Sequence, residues 1–308
     1  MINNHNDWLR GCATALVTPF TKDGAIDEAA LKRLVEYQIA GGVQLLVPCG
    51  TTGESATMTE AEDQQVIKLV IDTAKGRARV IAGTGSNATA AAIEYSQKAR
   101  SLGADAVLVV APFYNKPTQD GLYAHFRAVA ESVSDLLVVI YNVPGRTSSN
   151  ISAQTTLRLA REVGNIVAVK EASGSLSQIM EILRERPAGF RVLSGDDSFT
   201  FPMIALGAEG LISVAANEAP ALMSQMINLA LAGSWDEART LHYQLLPLME
   251  VNFIESSPGP VKAALAMMGL IEESYRLPLV PITEQSKTKV RAVITELGLL
   301  KETSHAAA

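Results

Sequence analysis

The sequence predicts a (β/α)8 barrel of the TIM type with a C-terminal helical appendage, on three observations. Short apolar, β-rich runs recur at a regular interval as far as Ala232. Each is followed by a polar turn and then by a stretch with helical periodicity. The runs are nearly continuous in apolar character and do not alternate, the pattern of parallel strands covered on both faces.

Eight strand candidates follow in order: Ala13 to Pro19, Leu45 to Cys49, Val80 to Gly83, Ala106 to Ala111, Leu137 to Tyr141, Val167 to Lys170, Val192 to Ser194 and Leu211 to Ala215. Crossover helices are predicted between them, for instance over Asp27 to Ala40, Thr59 to Ala74, Ala88 to Ser101 and Ser152 to Val163. Asp27, Thr59 and Ser152 are suitable N-caps because their side-chain oxygens can accept from the free amides of the first turn. Glu62 stands three residues after Thr59, as a capping box requires. A unit of roughly 29 residues repeated eight times reaches Ala232 and closes the sheet on itself. An open doubly wound sheet is the rival arrangement of the same elements. From Trp235 onward the strand pattern stops, and helices are expected over Trp235 to Val251, Val261 to Gly269 and Thr283 to Leu297. The expected organisation is a barrel over residues 1–232 and a helical region over 233–308. The first seven residues and the closing KETSHAAA are short polar or alanine-only ends with little to dock against, and are expected to be loose.

The composition fits one large core, with 48% hydrophobic and 19% charged residues among 308. The formal charge of -6 comes from 26 basic and 32 acidic residues spread along the chain. With no Lys/Arg-rich run to neutralise phosphates, nucleic acid is not an expected partner. The N-terminus is polar and no run of about 18 apolar residues occurs, so no membrane partner is expected and the reading is of a cytoplasmic protein. Cys12 and Cys49 are the only cysteines, both in apolar stretches, which leaves no disulfide framework and no CxxC metal site.

In such a barrel the working face is the C-terminal end of the strands. Polar residues gather there in Gly50-Thr51-Thr52-Gly53-Glu54, Pro112-Phe113-Tyr114-Asn115, Tyr141-Asn142-Val143-Pro144-Gly145-Arg146, Lys170-Glu171-Ala172-Ser173 and Ser194-Gly195-Asp196-Asp197. Lys170 carries the argument, because it follows Ile166-Val167-Ala168-Val169 without a break and so belongs inside or at the mouth of the barrel. A lysine there either pairs with a carboxylate, Glu171 or one on a neighbouring strand, or loses its proton and becomes a nucleophile towards a carbonyl. Schiff-base chemistry also needs a proton carrier, and Tyr141 ends the adjacent strand; the other reading is a core aromatic with its hydroxyl at the rim. Thr51 and Thr52 offer hydroxyls and turn amides to a carboxylate, or simply lead into the next helix. Arg146 is a bidentate clamp for an acidic substrate or a solvated surface arginine. Asp196 and Asp197 look like a metal-binding pair, but His5, His125, His242 and His305 are scattered without HxH or HxxxH spacing, so no metal is expected. Gly83-Thr84-Gly85-Ser86-Asn87-Ala88 has the GxGxxA form of a dinucleotide fingerprint, yet no acidic residue ends the next strand and no GxxxxGK[ST] loop occurs. No cofactor is expected.

Taken in order, GTTGE, PFYN, YNVPGRT, VKEASG and SGDD resemble the dihydrodipicolinate synthase and N-acetylneuraminate lyase family. The similarity runs from Gly11-Cys12-Ala13-Thr14-Ala15-Leu16-Val17-Thr18-Pro19-Phe20 through Pro258-Gly259-Pro260-Val261-Lys262 to Arg276-Leu277-Pro278. The second threonine of the first motif and Arg146 resemble the branch that condenses pyruvate with aspartate 4-semialdehyde towards lysine and diaminopimelate. Sialic acid lyases and aldolases for 2-keto-3-deoxygluconate are the related alternatives, and an idle keto-acid-binding barrel is the alternative from another class. The resemblance implies that Lys170 is the Schiff-base residue and that Tyr141 relays protons with Thr52 and with Tyr114 of a neighbouring subunit. It further implies that Thr51 and Thr52 hold the pyruvate carboxylate, that Arg146 binds the aldehyde's carboxylate, and that Gly195 and Ile212 line the pyruvate pocket. A homotetramer built as a dimer of dimers is implied too. At the effector position of lysine-inhibited members Ser55, Ala56 and Asn87 are retained, but Ala91 replaces a glutamate and Phe113 a tyrosine, so weak or absent inhibition by lysine is expected.

Overall fold

The computed structural model describes residues 6–300. Eight strands are present: β1 (Gly11–Ala15), β2 (Leu45–Val47), β3 (Arg79–Gly83), β4 (Ala106–Val110), β5 (Leu137–Asn142), β6 (Ile166–Glu171), β7 (Arg191–Ser194) and β8 (Gly210–Ser213). All pair in parallel in chain order, and β8 returns to β1 through Gly11↔Gly210 and Cys12↔Leu211, closing the barrel. The doubly wound alternative is thereby excluded, since an open sheet would leave β1 and β8 unpaired.

The helices start where the caps predict. Asp27 accepts from the Ala30 amide ahead of helix Glu28–Ala40, and Ser152 accepts from Thr155 ahead of helix Ala153–Glu162. Thr59 and Glu62 form the reciprocal capping box of helix Glu60–Ala74. Each such cap contributes about 1 kcal/mol to its helix.

Several strands end earlier than the apolar runs suggest, and the cause is where their backbone donors go. Pro19 and Pro48 have no N–H to give a ladder. The Leu16 amide still donates to Val47 O at 3.1 Å, but that of Val17 turns to Asn217 Oδ1 at 3.1 Å. After Ser213 the amides of Val214 and Ala215 leave the sheet for the Asp197 carboxylate, at 3.0 and 3.3 Å. The N-terminal end also differs from expectation: Asn6 is buried and donates to Gly189 O at 2.6 Å, and Asp7 accepts from Arg191 at 2.7 Å. Among the described residues, docking is thus already present at Asn6; residues 1–5 and KETSHAAA lie outside the described residues.

Two apolar layers hold the barrel. Leu45, Val47, Ile81, Val139, Leu193 and Ile212 fill its interior, each at most 1% exposed. Leu31, Val66, Phe126 and Ile179 lie between strands and helices. Helices Trp235–Val251, Gly259–Met267 and Glu284–Glu296 extend that outer layer through Leu245, Leu248, Ala264 and Val290. Burying a side chain of this size is worth about 1.5–3 kcal/mol, so the C-terminal helices are bound to the barrel by its own core.

Candidate active site

Parallel pairing places Tyr141 of β5 directly opposite Lys170 of β6. Side chains of a strand alternate between its faces, so Lys170 points into the barrel while Glu171 points away. The Glu171 carboxylate is occupied elsewhere: it accepts from Asn142 Nδ2 at 3.1 and 3.2 Å, from the Ser173 amide at 2.7 Å and from Gln178 at 3.1 Å. Lys170 has no ion pair among the described residues, which rules out the salt-bridged reading. Its ammonium lies 4.1 Å from the centre of the Tyr141 ring, and both residues are 6% exposed.

Burial pulls the Lys170 amine down to about 7; the Asp197 carboxylate opposes this and the Arg146 charge adds to it. Close to half of the amine is therefore uncharged near neutrality, the form that attacks a carbonyl. Burial pushes the Tyr141 phenol up to about 12, against the pull of Arg146 and the Thr51 hydroxyl. Tyr141 thus keeps its proton at rest and can lend and recover it without adding a second permanent charge.

Above this pair opens a cavity of about 470 Å³, whose wall includes Thr51, Tyr141, Arg146 and Lys170 beside Val47, Leu108, Val110 and Val143. Arg146 stands in the last turn of the short helix Pro144–Thr147 and forms no ion pair among the described residues, so its guanidinium is free to take an acid. The wall continues past Ser55, Ala56 and Phe113.

Four of the expected residues are not in that wall. Thr52 is 5% exposed, one position behind Thr51 in the turn. Gly195 lies behind Lys170: a methyl group there would sit 3.0 Å from Lys170 Cε and 3.1 Å from Cγ. Ile212 belongs to the interior layer, opposite Ala13. Tyr114, at φ 74°, is 89% exposed and does not line its own chain's cavity.

Sequence reasoning set Asp197 aside with Asp196 as a doubtful metal pair, and the two have separate tasks. Asp196 accepts from the Ser198 amide at 2.9 Å and ties down the loop after β7. Asp197 is buried, accepts from Ser213 and from two amides at the end of β8, and supplies the negative charge that Lys170 feels. Burial raises its own carboxyl to about 6. A buried cation's need for a countercharge was the signal that could have found it. Among the described residues no group of three or more His, Cys, Asp or Glu side chains could hold a metal ion. The glycines of the GxGxxA segment serve packing: a Cβ on Gly83 would lie 2.2 Å from Cys49 O, and one on Gly85 2.4 Å from the Val110 amide nitrogen.

A desolvated lysine beside a buried phenol at the C-terminal mouth of a parallel barrel is an arrangement suited to an enzyme that acts on carbonyl substrates. The chain matches the model of the dihydrodipicolinate synthetase family over residues 8–297, and it belongs to that family. It is 52% identical over 298 residues to the 4-hydroxy-tetrahydrodipicolinate synthase of Chloroherpeton thalassium, covering 97% of this chain and 98% of that one. Among solved structures, dihydrodipicolinate synthase from Aquifex aeolicus superposes with a TM-score of 0.93 at 46% identity, over 95% of this chain and 99% of that one. The dihydrodipicolinate synthase of Acinetobacter baumannii complexed with pyruvate gives a TM-score of 0.92 at 44% identity, over 94% of this chain and 99% of that one. The chain is a lyase. None of its described helices is long and apolar enough to cross a membrane.

Proposed function

We infer that this chain condenses pyruvate with L-aspartate 4-semialdehyde to give 4-hydroxy-tetrahydrodipicolinate, on the route to lysine and diaminopimelate. The observation that carries the reading is the buried Lys170 amine, without an ion pair among the described residues and facing Tyr141 inside the cavity. Lys170 Nζ attacks the ketone carbon of pyruvate and the carbinolamine loses water to an iminium. Loss of a methyl proton then gives an enamine, whose carbon adds to the aldehyde of the second substrate; that substrate's own amino group then attacks the iminium carbon, closing the ring and expelling the Lys170 amine, which regenerates the free enzyme. Tyr141 passes the protons, helped by Thr52 and by Tyr114 of a neighbouring subunit. Thr51 and Thr52 hold the pyruvate carboxylate, Arg146 holds that of the aldehyde, and Gly195 and Ile212 complete the pyruvate pocket.

The exposure of Tyr114, outside its own chain's cavity lining, supports an assembly in which it reaches a neighbour's cavity, and we propose a homotetramer made of two tight dimers. A cytoplasmic setting belongs to the same reading, in keeping with two buried, unpaired cysteines. The related sugar-acid aldolases share the Schiff base, but the free guanidinium of Arg146 at the cavity suits a second substrate that carries a carboxylate. Borohydride reduction in the presence of pyruvate, followed by mass spectrometry, tests the core of the reading. The adduct is expected on Lys170, and an adduct elsewhere, or undiminished synthesis by Lys170→Ala, would overturn it.

A further inference from the structure

The turn that carries Thr51 and Thr52 ends in Glu54, and this side chain has no place in the chemistry above. It is fully buried and receives the ammonium of Lys262, also fully buried, from helix Gly259–Met267 in the C-terminal region. Lys262 Nζ lies 4.5 Å from the centre of the Phe20 ring and 5.2 Å from that of Tyr275, so aromatic faces close the pair off from water. A second tie runs alongside: Arg276 donates to both oxygens of Glu62 at 2.6 and 2.9 Å and to Thr57 O at 3.2 Å. The backbone shows why the turn needs holding. Cys49 and Glu54, on either side of it, both have φ of 56°. A residue with a Cβ persists in that region only where its surroundings over-determine it.

We propose that Glu54 and Lys262 are positioning residues for keto-acid binding: their ion pair pins the Thr51–Thr52 turn to the C-terminal helices, so that its hydroxyls and amides are set for the carboxylate before substrate arrives. The proposal rests on the reading that this turn holds pyruvate. It also gives the C-terminal region a part in the reaction, although none of its residues lines the cavity.

The experiment compares Lys262→Met, Glu54→Gln and the double variant with the parent, measuring KM for pyruvate, the borohydride-trapping rate at saturating pyruvate and the thermal midpoint. Each single variant leaves a polar or charged group unpaired where water cannot reach it, so its midpoint falls. The double variant buries no charge and so recovers part of that midpoint, and it carries the test if a single variant does not fold. The expected result is a pyruvate KM raised about tenfold in the double variant, the equivalent of one lost charge-assisted contact, with trapping at saturation within about threefold of the parent. A pyruvate KM that returns to the parent's value together with the midpoint would show that the pair only stabilises the fold, and would overturn the proposal. A parent that forms a pyruvate adduct while all variants keep its KM would sink this inference alone. A parent that forms no adduct would sink the proposed function as well.

Discussion

Replacing Gly195 by alanine would put a methyl group where the stem of Lys170 now runs. The added carbon would meet Ala172 Cβ at 2.8 Å, Lys170 Cε at 3.0 Å and Lys170 Cγ at 3.1 Å. Carbon atoms rest at about 3.5–4.0 Å from one another, so the contacts are short by about 0.4–1.2 Å. Ala172 has no side-chain torsion with which to retreat, and its amide is tied to Asn142 O at 2.9 Å. The lysine stem must therefore give way, carrying its amine off the Tyr141 ring by a similar distance. Overpacking of this kind costs about 1–3 kcal/mol of stability. A displacement of about 1 Å at a reacting atom costs on the order of 10²-fold in rate. The two numbers separate the effects, because a folded, slightly less stable protein would lose most of its chemistry. The assay is the rate of borohydride-trapped pyruvate adduct at saturating pyruvate, with kcat/KM for the condensation and a thermal midpoint. A folded Gly195→Ala that traps pyruvate within about threefold of the parent's rate would refute the reasoning, since it would place the amine outside the reach of a contact drawn from the structure.

Other expectations follow from the same geometry. With the Lys170 amine at about 7, its neutral fraction rises about tenfold between pH 6 and 8, and the trapping rate should rise with it and then level off. The sign is that of a lysine whose proton is lost more easily than usual, so activity falls on the acid side; a rate flat from pH 6 to 8 would contradict it. Arg146→Ala removes a positive charge that helps to discharge Lys170, so the acid limb should move to higher pH. The same variant should raise KM for the aldehyde about 10- to 100-fold, as the loss of a charge-assisted carboxylate contact implies. Titrating lysine against the initial rate should give half-inhibition only above about 1 mM, because Ala91 offers no partner for the effector's ammonium.

The strand candidates were legible because parallel strands covered on both faces must be apolar throughout, and the eight runs correspond one to one with β1 to β8. The helix starts were legible because capping is local: Thr59 and Glu62 need only be three residues apart. Lys170 could be singled out for the same reason, as a charge at the end of an unbroken apolar run. The strand ends were less legible. Nothing local to Val214 says that its amide will leave the sheet for a carboxylate on the loop after β7.

The site was divided along the same line. The residue types at the strand ends could be read from the chain, and their proposed roles were what the family resemblance implied. Only the closed sheet decided that Tyr141 stands opposite Lys170, that Glu171 is turned away to Asn142 and Gln178, and that Asp197 and not its neighbour supplies the countercharge. The pairing of Glu54 with Lys262, 208 residues apart, lay wholly outside local reasoning. By itself the chain determined which segments are strands and helices and where chemistry-bearing residues fall along them, because those properties depend on neighbours within a turn or a strand. Which amine is uncharged, and what holds the substrate turn, was decided by tertiary structure alone, because burial and charge pairing depend on groups that only folding brings together.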